Sequence, residues 1–216
     1  MMSRVLALGG LAGPLLFAAV TVCCAALRPD YSHLHHFISE LGATGTSHAQ
    51  LMNYAGFAPT GLLLMGFGVA LAARLPRHRW TTVGASLVGL FGGGILLAGF
   101  FSCDVGCPQS GGSIANLVHD RIAPPTFLAG SLGAVCLGLR FRSLASLRAL
   151  WVYSVVSGAL GVAFLAGLAS TLESREFTGL WQRLLLTALF AWCAVVSVRL
   201  ALSGRIESPV ERPPAP

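Results

Sequence analysis

Two polar stretches, residues 28–50 and 100–120, interrupt an otherwise apolar chain. Between them they carry a serine, a histidine and a carboxylate, namely Ser39, His119 and Asp104. A serine hydroxyl becomes a nucleophile when a base accepts its proton and a third group orients that base. The three residues are therefore candidates for catalysis in a membrane-embedded hydrolase or lipid-modifying enzyme. They come from separated stretches, so the fold decides whether they meet.

Two cysteines, Cys103 and Cys107, stand four residues apart in the second polar stretch. In an oxidising compartment a disulfide across this short loop is expected to fix it as a structural staple. Thiolates and imidazoles also bind copper or zinc, which makes a metal pair the alternative. A lone C-x-x-x-C spacing without a second pair is a weak metal signal, and we predict neither a metal site nor a cofactor.

The first polar stretch is rich in histidine, with His33, His35 and His36 close together and His48 further on. If residues 33–41 form a helix, His35 and Ser39 lie on one face, four residues apart. Such a cluster can be a metal site, a pH-sensitive switch or an interfacial polar patch. The polar patch is the favoured interpretation.

Arg183 is an unusual charge because it lies one turn inside the last apolar segment. Charged groups near the hydrocarbon are usually paired or functional, so Arg183 is expected to pair with a carboxylate. Asp104 is the first choice of partner, Glu40 the second and Asp120 the third. The alternative is that the arginine reaches outward to the lipid head groups.

The elements that must position these residues are membrane-spanning helices. The chain has 216 residues, of which 55% are hydrophobic and 10% are charged, whereas soluble domains carry roughly 25% charged residues. A spanning helix needs about 20 mostly apolar residues. Six segments approach that length: Leu6–Leu27, Leu51–Ala73, Thr82–Phe101, Ala123–Leu139, Leu150–Ala169 and Leu180–Leu202. The alternative for the fourth is an earlier start near Ile114 with a bend at Pro124 and Pro125. The predicted fold class is all-α, a bundle of six transmembrane helices.

Arginines predict the orientation of this bundle and explain its net charge of +6. With the N-terminus inside, nine arginines fall in inner segments and three in outer loops. This positive-inside bias places both termini in the cytoplasm of a cell-membrane protein and both polar stretches outside. The positive charge is thus explained by membrane orientation, and nucleic-acid binding is not expected. We predict one domain over residues 1–205 and a disordered cytoplasmic tail over residues 206–216.

Glycines concentrate in the third segment, among them Gly84, Gly89, Gly92, Gly93 and Gly94. Small residues let membrane helices approach closely. The third segment is therefore predicted to lie at the centre of the bundle.

Four stretches resemble the DUF998 family of bacterial and archaeal membrane proteins of unknown function. They are RPDYSHLHHFISELGATG at 28–45, MNYAGF at 52–57, FFSCDVGCP with HD at 119–120, and QR at 182–183 with Trp192 beyond. The resemblance covers nearly the whole chain and implies a six-helix membrane bundle. The family pattern emphasises Tyr31, Ser32, Ser39, Gly42, Asp104, His119 and Arg183. We group Tyr31 with Glu40, Asp120 and Arg183 as a structural or binding cluster. The I-S-E-L-G segment at 38–42 is more distantly similar to the Frag1/DRAM/Sfk1 group, some members of which are linked to lipid remodelling.

Three classes of function fit these residues. A non-catalytic membrane protein, structural or accessory to a neighbour, ranks first, and its ligand at the outer side would be a lipid or a small molecule. The hydrolase that uses Ser39, His119 and Asp104 ranks second. A small-molecule transporter or metal-binding protein ranks third. The transporter is disfavoured because no charge lies at mid-membrane depth in any segment, and the metal-binding protein because no strong metal motif is present. The sequence leaves the oligomeric state open.

Overall fold

The computed structural model describes residues 2–203 and 206. Within these residues, six helices are long and apolar enough to cross a membrane, and no strand occurs. They are α1 (Met2–Ala26), α2 (Ala49–Arg74), α3 (Arg79–Phe100), α4 (Ile114–Phe141), α5 (Arg148–Ser170) and α6 (Thr178–Leu202). The six-helix membrane bundle predicted from hydropathy is thereby confirmed. Apart from Ile206, the predicted tail lies outside the described residues.

The helices form a closed ring in chain order. Each packs against the next, and α1 completes the ring by packing against both α2 and α6. An aromatic cluster links α1 to the helices around it: the ring of Phe17 lies 5.1 Å from Phe57 of α2 and 5.4 Å from Phe190 of α6. Phe190 in turn contacts Phe91 of α3, with ring centroids 6.0 Å apart. The ring of helices thus encloses one apolar interior.

The prediction that the third helix is the bundle centre is wrong. Only 39% of the residues in the apolar window of α3 are buried, against 56% for α2 and 50% for α6. The glycines of α3 serve a narrower purpose. A Cβ atom on Gly92 would lie 2.6 Å from the backbone nitrogen of Met65 in α2, whereas one on Gly89 or Gly93 would meet nothing within 4 Å. Glycine at position 92 therefore allows the close α2–α3 contact.

Helix α4 begins at Ile114 and not at Ala123, so the longer of the two sequence alternatives is correct. Ser113 caps its start by accepting a hydrogen bond from the backbone nitrogen of Asn116 at 3.2 Å. The helix continues through Pro124 and Pro125, where two backbone donors are missing. Membrane helices tolerate proline where neighbouring helices and side chains satisfy the freed groups.

The polar stretch after α1 is irregular, with one 3-10 turn at Ile38–Gly42. Phe37, just before the turn, has an extended backbone with ψ 151°. A single helix over residues 33–41 is therefore not formed, and His35 and Ser39 do not share a helix face. The next motif, Met52–Phe57, forms a π-helical turn at the start of α2. Such turns often mark functional sites.

A matched pair of glycine substitutions tests the α2–α3 contact. Gly92→Ala should lower the melting temperature in detergent, because its Cβ would lie 2.6 Å from Met65 N and 2.8 Å from Gly61 O. Overpacking of this kind costs about 1–3 kcal/mol. The neighbouring Gly93→Ala should be neutral or slightly stabilising, because alanine is the better helix former. Equal melting temperatures for the two variants would contradict the packing.

Candidate functional site

Three loops at one end of the ring form a polar cap, which we define as residues 28–48, 101–113 and 171–177. The first two loops are joined where Thr44 N donates to Cys103 O at 2.8 Å. The hydroxyls of Thr44 and Ser102 also lie 2.9 Å apart. The third loop is attached through Arg175, which donates to Cys107 O at 2.7 Å. The polar stretches that are remote in sequence are therefore one structural unit.

Side chains from the spanning helices hold the 3-10 turn at the centre of the cap. Ile38 N donates to Oε1 of Gln182 in α6 at 2.6 Å. Asn53 in the π-helical turn of α2 donates through Nδ2 to Gly42 O at 2.9 Å. Glu40 is buried, and its carboxylate accepts from Phe37 N at 3.0 Å within the same turn. The turn is thus fixed at both ends.

Ser39 packs against the two cysteines of the second loop. Cys103 and Cys107 form a close pair with Cα atoms 5.0 Å apart, within the range that a disulfide spans. Ser39 Oγ lies 3.5 Å from Cys107 Sγ, and Ser39 O lies 3.7 Å from Cys103 Sγ. All three residues are buried. A staple across the second loop therefore also supports the turn that carries Ser39.

His119 and Asp120 enter the site from the first turns of α4. His119 Nδ1 lies 2.9 Å from Phe101 O, and a carbonyl only accepts, so Nδ1 is the protonated nitrogen. In the neutral ring this leaves Nε2 as an acceptor. Asp120 Oδ2 accepts from Asn116 Nδ2 at 3.3 Å.

These residues line an amphipathic cavity of about 170 Å³ between α4 and α5, directly under the cap. Its polar wall contains Ser39, His119, Asp120 and Gln182, while leucines of α5 and Phe127 of α4 form the apolar wall. A smaller cavity of about 40 Å³ adjoins it and shares Ser39, His119 and Gln182. The structure therefore brings Ser39 and His119 to one cavity.

Asp104, the third residue of the predicted catalytic set, is engaged elsewhere. Its two carboxylate oxygens accept from Ser113 N at 2.7 Å and from Ser113 Oγ at 2.8 Å. These hydrogen bonds lower the pKa of Asp104 and stabilise the start of α4. Asp104 is not among the residues that line the cavity. Within the described residues no hydrogen bond joins Ser39 to His119 either.

Arg183 does not pair with the carboxylate of Asp104, contrary to the expectation. Its guanidinium donates to Tyr31 Oη at 2.6 Å, His36 O at 3.1 Å and Gly179 O at 2.9 Å. Tyr31 then donates to Phe37 O at 2.9 Å. Burial raises the pKa of Tyr31 although the charge of Arg183 acts in the opposite direction. Arg183 is thus held by neutral acceptors, two backbone carbonyls and the hydroxyl of Tyr31.

The histidines of the first loop serve separate contacts. His36 Nδ1 accepts from Ser32 N at 3.0 Å, and His35 Nδ1 accepts from Phe177 N at 3.4 Å. Burial, and then the charge of Arg183, lower the pKa of His33. In the part of the chain that is described, no three His, Cys, Asp or Glu side chains are grouped as metal ligands.

Four residues of the site were not singled out from the sequence as site residues: Asn53, Asn116, Arg175 and Gln182. Asn53 and Gln182 are amides near the ends of apolar segments, where burying an unbonded polar group is costly. An amide at such a position therefore predicts a hydrogen-bond partner elsewhere in the fold. Arg175 and Asn116 lie in polar surroundings and carry no such signal.

Substitutions at Arg183 test this bonding scheme. Arg183→Met should lower stability in detergent because hydrogen bonds from a charged group contribute about 1.5–3 kcal/mol. Tyr31→Phe should cost less, and the double variant should cost less than the sum because the two side chains share a bond. Arg183→Met combined with Asp104→Asn is the control, and its losses should add. Coupling to Asp104 and none to Tyr31 would contradict the scheme.

A comparison with family profiles relates the chain to a known family. The profile of DUF998, described as a protein of unknown function, matches residues 11–199. No curated protein and no solved structure matches the chain. The more distant similarity to the Frag1/DRAM/Sfk1 group stays a prediction. Because the match covers most of the chain, this protein belongs to the DUF998 family.

Proposed function

We propose that this protein is a non-catalytic membrane protein that binds the head group of a membrane amphiphile in the cavity under the polar cap. The observation that carries the proposal is the amphipathic lining of that cavity, with Ser39, His119, Asp120 and Gln182 on one wall and apolar side chains on the other. Binding sites for small ligands are typically apolar clefts with a few convergent polar groups.

The polar wall favours an uncharged head group that carries hydroxyls. The hydroxyl of Ser39 and the Nε2 atom of His119 offer a donor and an acceptor. The carboxylate of Asp120 accepts hydrogen bonds and disfavours an anionic head group at the same wall. An acyl chain would then run between the leucines of α5 and Phe127 of α4. A monoacylglycerol is the simplest molecule with this chemistry.

The arrangement around Ser39 supports the non-catalytic alternative over the hydrolase. A serine nucleophile needs a base within hydrogen-bond reach and an orienting group on that base. Ser39 Oγ contacts Cys107 Sγ, His119 Nδ1 is bonded to a backbone carbonyl, and Asp104 caps α4. Catalytic hydrogen bonds can tighten on substrate binding, so chemical labelling is the appropriate test.

Photolabelling separates these alternatives. The protein in phosphatidylcholine nanodiscs is exposed to a monoacylglycerol with a diazirine in its chain, and the crosslinks are mapped by mass spectrometry. Labelling should fall several-fold in Ala123→Leu, which fills the cavity, because Ala123 lines it. The control Ala72→Leu changes an exposed alanine of α2 and should label like wild type.

Two results would contradict the proposal. Equal labelling of wild type, Ala123→Leu and Ala72→Leu would mean that the cavity is not the binding site. Covalent modification of Ser39 by a fluorophosphonate, lost in Ser39→Ala, would replace the binding protein with the hydrolase.

We also propose that the protein lies in the cell membrane with both termini in the cytoplasm and the polar cap outside. The nine-to-three distribution of arginines supports this orientation. A green fluorescent protein fused after Pro216 should fluoresce, and an alkaline phosphatase fused there should be inactive. The reverse pattern would overturn the orientation.

A further inference from the structure

The end of the bundle opposite the polar cap contains a basic recess of about 610 Å³. We define the basic recess by its four arginines and the residues between them. It lies where α3 begins, α4 ends and α5 begins, and it is lined by His78, Arg79, Trp80, Leu139, Arg140, Arg142, Ser143 and Arg148. Arginine bias alone explains why arginines occur at this end, but not why four of them share one concavity.

Arg140 is the informative residue because it is buried and no described residue is its hydrogen-bond or ion-pair partner. The side chain is only 7% exposed, and its Nε atom is buried and makes no hydrogen bond. A buried charge is costly unless it is paired and hydrogen-bonded. Arg140 is one of the residues that line the recess. An anion bound there would compensate the charge of this arginine.

The other three arginines are also unneutralised by carboxylates in the described structure. Arg142 lies over the ring of Trp151 at 5.7 Å, and Arg79 lies over the ring of Trp80 at 5.2 Å. Neither contact provides a negative charge. The described acidic residues are all in or next to the loops of the opposite end: Asp30, Glu40, Asp104, Asp120, Glu173 and Glu176. Glu207 and Glu211 lie outside the described residues.

We propose that the basic recess binds the phosphate head group of an anionic phospholipid. Guanidinium groups present planar forks of donors that match phosphate oxygens, and four of them line this recess. Basic recesses between transmembrane helices on the cytoplasmic side have the charge and position to hold such head groups.

The location favours a lipid over a soluble anion. The recess lies at the ends of three spanning helices, where head groups of the bilayer are present at high local concentration. Trp80 and Trp151 are half-buried beside it, as is usual for the side chains that mark a membrane interface. Leu139 adds an apolar wall that an acyl chain can contact and that inorganic phosphate cannot use.

Native mass spectrometry of the full chain in detergent tests the proposal. Phosphatidylglycerol is titrated against phosphatidylcholine with the same acyl chains, and the phosphatidylglycerol adduct should be clearly preferred. Arg140→Gln with Arg148→Gln should weaken that adduct by roughly tenfold or more. If this double variant fails to fold, Arg79→Gln with Arg142→Gln provides the same test on exposed side chains.

Arg77→Gln is the matched control, because Arg77 is an exposed arginine in the same turn as Arg79 but does not line the recess. It should bind phosphatidylglycerol like wild type. Equal binding of the two lipids, or equal losses in Arg77→Gln and the recess variants, would overturn the proposal. Displacement of phosphatidylglycerol by millimolar inorganic phosphate would overturn it in favour of a soluble anion.

Discussion

The cap depends on side chains that satisfy its irregular backbone. Outside regular helices, backbone amides and carbonyls lack partners, and leaving them unbonded next to a hydrocarbon layer costs several kcal/mol per group. Here the partners come from the loops and from the ends of the helices: Arg183 donates to His36 O, Arg175 to Cys107 O and Asn53 to Gly42 O, while Gln182 accepts from Ile38 N. Three of these bonds join segments far apart in the chain, and the bond of Asn53 joins residues 11 apart. The position of Ser39 is therefore set by α2 and α6 as much as by its own loop.

This constraint explains why the charged side chains of the cap form no ion pairs within the described structure. An arginine offers five donors, which suit several fixed carbonyls better than one mobile carboxylate. Arg183 and Arg175 are used in this way. The carboxylates of Glu40 and Asp104 accept from amides at the starts of the 3-10 turn and of α4. The charged side chains of the cap thus form hydrogen bonds to backbone groups. Asp120 is the carboxylate that lines the cavity beneath.

Hydropathy was sufficient to predict the six helices, because length and apolar composition are local properties of the sequence. The partner of a side chain is not a local property. The predicted Arg183–Asp104 contact was wrong because backbone carbonyls, and not a carboxylate, accept hydrogen bonds from Arg183. The central position assigned to α3 was wrong for a related reason. A glycine can indicate one close helix contact, as at Gly92, but it does not indicate what fraction of the helix is buried. Whether Ser39, Asp104 and His119 form a catalytic set also required distances between three separate stretches.

The two ends of the bundle differ in how their buried polar groups are hydrogen-bonded. At the cap end, Arg175, Arg183 and Gln182 form hydrogen bonds within the chain, whereas the buried Oδ1 of Asn53 has no partner in the described structure. At the opposite end, Arg140 is buried with an unbonded Nε, and three further arginines surround the same recess. A buried charge without a counter-charge lowers stability. The chain itself supplies most of the bonding of the cap, whereas the charge of the basic recess is what the proposed anion would compensate.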